Sequence, residues 1–148
     1  MELASWAESH NCAAICIQDH QIYFQDSQNK IKREPLGAGW EFIYSCATTE
    51  GNHGVGFVVS PQTASALEDM TCISDWILHL KLHGRKQKTY LYSAHAPTAV
   101  FLCNERESFS HLQSDIHSLP ARDVVVIGLD ANRTVLLELC RVIIIILY

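Results

Sequence analysis

The chain has 148 residues, enough for one domain with a single core, and at 48% apolar and 18% charged residues it is neither a disordered tail nor a low-complexity adaptor. A net charge of −5 makes strong non-specific nucleic-acid affinity unexpected, although carboxylates that hold a metal add negative charge that the cation offsets. Residues Met1 to Trp6 lack a positive stretch followed by an apolar core, so no secretory signal is expected and an intracellular location is.

Leu3 to His10 reads as a short helix with Leu3, Trp6 and Ala7 on one side. Cys12 to Ile17 is an apolar run of strand length, and Asp19 falls just past its end. Trp40 to Ala47, Gly54 to Ser60, Ile77 to Leu82 and Thr89 to Ala94 are further strand candidates, rich in aromatic and β-branched residues between turn signals. Lys81, Arg85, Lys86 and Lys88 around Gly84 read first as a solvated hairpin turn and second as a contact to phosphates. Asn104 to Leu119 is the clearest helix: Asn104 can cap it, Glu107 stands in capping-box position, Phe109, Leu112, Ile116 and Leu119 recur at helical spacing, and Pro120 stops it.

The run from Asp123 to Asn132 follows, a buried-type strand that delivers a carboxylate and a carboxamide two positions apart. Residues i and i+2 of a strand share a face, so Asp130 and Asn132 project together. Such a pair suits a hard cation plus a phosphate, although an Asp-x-Asn taken alone is most often a turn bonded to its own backbone. The last apolar run, Val142 to Leu147, is too short for a bilayer, which needs about 20 residues. It reads as an aggregation-prone strand or a non-native terminus. The six cysteines, at 12, 16, 46, 72, 103 and 140, lack metal-type pairing and are expected as free, mostly buried thiols. Trp40 and Trp76 read as core before they read as base-stacking platforms.

Three segments stand at strand ends: Gln18-Asp19-His20, Ser93-Ala94-His95-Ala96-Pro97-Thr98 and Gly128-Leu129-Asp130-Ala131-Asn132. In this order, with Gly54-Val55-Gly56-Phe57, Ser74-Asp75 and Leu119-Pro120 between them, the chain resembles the endonuclease/exonuclease/phosphatase family, and within it the endonuclease domains of non-LTR retrotransposons. The resemblance implies a four-layered α/β sandwich (DNase I-like) over residues 1–135, incomplete, with a divergent apolar tail over 136–148. It also implies hydrolysis of a DNA phosphodiester assisted by Mg²⁺ or Mn²⁺, which a nuclear location would suit. Asp19 matches the family's metal-ligating Glu, Asp130 the Asp that orients the attacking water, and Asn132 the Asn that holds the phosphate. His95 falls where the family has a Tyr that reaches a phosphate oxygen.

The chain departs from the family's pattern as well. Asp19 is one methylene shorter than Glu, a retreat of about 1.5 Å. Leu129 stands where a Gly precedes the Asp, and Trp76 where an Arg follows the Ser-Asp pair. No Ser-Asp-His motif with a general-base histidine follows Val135, so the chain is expected to be truncated and its catalysis impaired. Two other functions fit the same residues: a phosphatase acting on a small molecule, and a non-catalytic remnant or interaction module.

Overall fold

The structure, a computed structural model, describes residues 2–25, 30–47, 53–95, 102–130 and 142–147. In chain order the elements are α1 (Glu2–Ser9), β1 (Ala14–Gln18), β2 (Ile31–Gly37), β3 (Trp40–Ser45), β4 (Val55–Val59), α2 (Pro61–Ser65), β5 (Leu67–Ser74), β6 (Ile77–Leu82), β7 (Thr89–His95), α3 (Leu102–Ser118), β8 (Val124–Asp130) and β9 (Val142–Leu147). The strands form two sheets, ordered β1-β4-β3-β2 and β5-β6-β7-β8-β9. The first is antiparallel throughout, and the second changes from antiparallel to parallel at β7. A parallel neighbour needs a crossover, and α3 supplies it between β7 and β8.

Strand alternation decides which residues meet. Ile43, Val55, Phe57 and Val59 leave one face of the first sheet to pack with Leu78 and Leu80 of the second. From the opposite face Trp40 and Val58 pack with Ala4 and Ala7 of α1. Tyr90, Tyr92, Val125, Ile127 and Leu129 cover the outer face of the second sheet and meet Leu112 and Ile116 of α3. Across the molecule the described elements run helix, sheet, sheet, helix, a mixed α/β arrangement. No helix among the described residues is long and apolar enough to cross a membrane.

The expected strands at 40–47, 54–60, 77–82 and 89–94 are present as β3, β4, β6 and β7, with ends shifted by a residue or two. Two strands were not expected. β2 (Ile31-Lys32-Arg33-Glu34-Pro35-Leu36-Gly37) and β5 (Leu67 to Ser74, with Glu68 and Asp69) pair on one side only, and edge strands tolerate charge and proline that a central strand excludes. The short α2 was also missed, although Ser60 caps it by accepting from the Thr63 N–H and Pro61 opens it. α3 begins at Leu102, so Asn104 lies inside its first turn and not at its cap. The 142–147 run, expected as an aggregation-prone strand or a non-native terminus, is strand β9, in parallel register with β8 from Val125↔Val142 to Asp130↔Leu147. The thiols of Cys12, Cys16, Cys46 and Cys72 are free, but half-buried rather than buried. Burial pushes Cys16 and Cys72 up to about 11, so both stay protonated at neutral pH.

Helix α3 is fixed to the sheet by a polar contact as well as an apolar one. Asp115 accepts hydrogen bonds from the Tyr92 hydroxyl at 2.5 Å and pairs with His79 Nδ1 at 3.1 Å. Burial pushes the Asp115 carboxyl up, yet the bonds from His79 and Tyr92 outweigh it and hold the group below the usual carboxylate range. A depressed carboxyl stabilises the fold above its unfolded pKa, and this contribution is lost as pH falls through the folded value. The urea midpoint is therefore expected to fall as pH drops below about 4. Tyr92→Phe should lower stability at pH 7 by about 1–3 kcal/mol and flatten that acid fall. Identical acid profiles for the two proteins would contradict the assignment.

The two sheets come into tight contact where Cys16 of β1 meets Gly128 of β8. A Cβ added to Gly128 would lie 2.3 Å from Cys16 Sγ and 2.6 Å from Cys16 Cβ, so no side chain fits. Gly128→Ala is expected to lower stability by about 1–3 kcal/mol in urea unfolding, with Cys16→Ala restoring only part of it because the Cys16 Cβ remains. An unchanged unfolding midpoint would show that the sheets separate freely at this point.

Candidate functional site

Polar contacts at the same crossing set the height of the β1 terminus. Gln18 Nε2 donates to the Gly128 carbonyl at 3.2 Å and to Ser93 Oγ at 3.3 Å, while Ser93 Oγ donates to the Ile17 carbonyl at 3.0 Å. Ser93 is fully buried, and its hydroxyl leaves none of these groups without a partner. The end of β1 is thereby held level with the ends of β7 and β8. The next residue, Asp19, leaves the strand at that level.

Asp19 sits in a tightly bent crossing of two loops. Its φ is 51°, that of Gln21 is 60° and that of His53 is 67°, all left-handed, and Gly54 follows at 92°. Left-handed non-glycine residues each cost on the order of 1–3 kcal/mol and persist only where neighbouring contacts enforce them. Here the contacts are backbone bonds from His20 N–H to the Gly54 carbonyl (3.3 Å) and from Gln21 N–H to the His53 carbonyl (3.0 Å). Asp19 Oδ1 accepts from the His53 N–H at 3.2 Å and Oδ2 from Gln21 Nε2 at 3.4 Å. The carboxylate is exposed but oriented. His20 serves the loop: its Nδ1 accepts from the Ile22 N–H at 3.0 Å, burial pushes its pKa down, and a Cβ on Gly54 would come within 2.4 Å of its ring. A packed His20 closes the loop, and its Nε2, like His95 Nδ1, is buried without a hydrogen-bond partner.

The parallel register of β7 and β8 places His95 opposite Asp130, each the last residue of its strand. His95 Nδ1 lies 3.6 Å from Asp130 Oδ2, just beyond hydrogen-bonding distance, and is buried without a hydrogen-bond partner. Leaving a buried ring nitrogen unsatisfied costs about 1–3 kcal/mol. It is also what a group aimed at an incoming ligand looks like. The His95 N–H bonds the Trp76 carbonyl at 2.9 Å, and the two rings lie stacked, 5.7 Å apart at 18°. His53 tilts onto the Trp76 ring at 3.5 Å and stands 6.3 Å from His95.

A continuous set of contacts therefore runs from Asp19 through His53, Trp76 and His95 to Asp130. Three of the four expected site residues stand at one end of the paired sheets; the fourth, Asn132, lies outside the described residues. His53 was not anticipated at the site, and Trp76 only as a second reading. Nothing in the sequence around His53 marks it, whereas Trp76, which follows the Ser74-Asp75 pair, reads as core first and as a base-stacking platform second, and it does pack in part on the cluster beneath α3. Among the described residues no group of three or more His, Cys, Asp or Glu side chains is placed to hold a metal ion. The arrangement offers an exposed carboxylate, Asp19, and, at the same end of the sheets, a second carboxylate, Asp130, facing an imidazole: a proton acceptor next to a hydrogen-bond donor. No protein-family model matches the chain, and no curated protein matches it.

Ser93→Ala removes the hydroxyl that joins β1 to β7, and it is expected to lower stability by about 1–3 kcal/mol. Gln18→Ala should cost a similar amount but add little on top of it, since both residues belong to one network. Fully additive urea-unfolding effects would show that the two side chains act separately.

Proposed function

We propose that the chain is a DNase I-like α/β sandwich of the endonuclease/exonuclease/phosphatase type, and that it hydrolyses a phosphodiester in DNA with the help of a divalent metal ion. The observation that carries this reading is the His95–Asp130 juxtaposition at the same sheet end as Asp19, the arrangement expected from the family resemblance. The helix-sheet-sheet-helix order supports the fold assignment.

The donor set fits Mg²⁺ or Mn²⁺ held in one particular way. A carboxylate offers about four acceptor sites, and Asp19 uses two of them on His53 and Gln21. Mg²⁺ is commonly bound through one or two carboxylates, several waters and the substrate's phosphate oxygens, so a full protein cage is not required. When bound, the ion polarises the phosphoryl oxygens and neutralises developing charge. Asp130 accepts a hydrogen bond from the attacking water and orients it. His95 donates to a non-bridging phosphate oxygen, which satisfies its orphaned nitrogen. Asn132 is assigned the remaining phosphate contact by the resemblance. The short Asp19 side chain makes the ion weakly held and turnover slow.

Nicking of supercoiled plasmid in Mg²⁺ or Mn²⁺ tests the proposal, with phosphate release from small phosphoesters measured alongside. Slow metal-dependent nicking is expected, reduced about 10²-fold or more in a folded Asp130→Ala variant. Phosphate release without nicking would replace the reading by a small-molecule phosphatase, and inactivity in both assays would leave a non-catalytic module.

A further inference from the structure

The side chains between the two carboxylates are aromatic, and their placement bears on what is bound. We infer that Trp76 and His53 form a stacking platform for the nucleobase beside the phosphate at His95 and Asp130, so that the substrate is a nucleic-acid strand and not a small phosphoester. This inference rests on the phosphodiester reading of the site.

Trp76 occupies the turn between β5 and β6, held there by its N–H to Ser74 Oγ at 3.2 Å and by its carbonyl to the His95 N–H. One side of the residue packs on the cluster beneath α3, yet Trp76 remains half-exposed. His53, also half-exposed, lies against its ring at 3.5 Å. Aliphatic side chains would fill this space without bringing two imidazoles to an apolar surface, where their desolvation is costly. Flat rings beside a phosphate site instead match the chemistry of a base, because every base has a π-face and stacking is worth about 1–3 kcal/mol per base. His95 connects the platform to the reacting end: its ring stacks on Trp76, and its Nδ1 points at Asp130.

Charge strengthens the case. The basic cluster lies at the opposite end of β6 from Trp76, and a six-residue strand separates the two by about 20 Å. That exceeds the Debye length of about 8 Å at physiological salt. Two of these cations are also occupied: Lys88 and Lys81 pair with Glu68, which Lys88 and His83 hold down to about 2. This cluster therefore adds little phosphate attraction at the site, and stacking on the platform contributes to the affinity for a strand.

Binding of oligothymidylate and of an abasic oligonucleotide of the same length, followed by fluorescence anisotropy in Ca²⁺ to suppress cleavage, separates base from backbone. Native protein should prefer oligothymidylate by about ten-fold or more. Trp76→Leu, which keeps apolar volume, should abolish the preference while binding the abasic strand unchanged, and Trp76→Phe should keep most of it. Equal binding of the two strands by native protein, or a preference that survives Trp76→Leu, would overturn the platform and leave the phosphodiester reading standing. Binding of neither strand would overturn both.

Discussion

The structure depends on the close crossing of β1 over β7 and β8. Glycine at 128 lets the Cys16 side chain approach the β8 backbone, and Gln18, Ser93 and the Ile17 carbonyl close the same junction with hydrogen bonds. Apolar burial elsewhere, with Phe57, Leu78, Leu80 and Ile43 fully enclosed, holds the sheets together without specifying their relative height. Directional bonds at the crossing specify it. A one-residue slip of β1 would move Asp19 away from His53 and separate it from the ends of β7 and β8.

What the crossing positions is costly on its own terms. Of the five left-handed non-glycine residues among the described ones, Asp19, Gln21 and His53 gather at one sheet end with the unsatisfied His20 and His95 nitrogens, while Asn11 and Ala38 lie elsewhere. Local strain and unmet polar capacity of this kind collect at sites that bind something, where the ligand meets the polar demand. Elsewhere among the described residues the buried side-chain polar groups have partners: Asp115 has Tyr92 and His79, and the more exposed Glu68 has Lys88 and His83. The contrast singles out the Asp19–Asp130 end against the cleft near Ser60 and Thr63, whose hydroxyls are already committed to each other and to the Ala13 carbonyl.

Much of this was legible in the sequence because it follows from periodicity and from strand ends. Central strands β3, β4, β6, β7 and β8 announce themselves as apolar or alternating runs, since both their edges pair and at least one face is enclosed. Edge strands β2 and β5 do not, because one free edge and one solvated face admit Lys32, Arg33, Glu34, Pro35, Glu68 and Asp69. The place of β9 beside β8 was illegible for a different reason: parallel pairing leaves no local turn signal. At the site, Asp19, His95 and Asp130 could be read as polar residues just past apolar runs. The His53–Trp76 contact could not, because it joins two loops 23 positions apart in sequence whose meeting is set by the sheet crossing.

The central claim is that Asp19, His95 and Asp130 face one ligand site, and paramagnetic Mn²⁺ tests it most directly. With substoichiometric Mn²⁺ added to isotope-labelled protein, the signals of His53, His95 and the Trp76 indole should broaden before those of Trp6 and Trp40, and Asp19→Ala should abolish the selectivity. Broadening that centres on other residues, or that is the same in Asp19→Ala, would contradict a shared site at this end of the sheets.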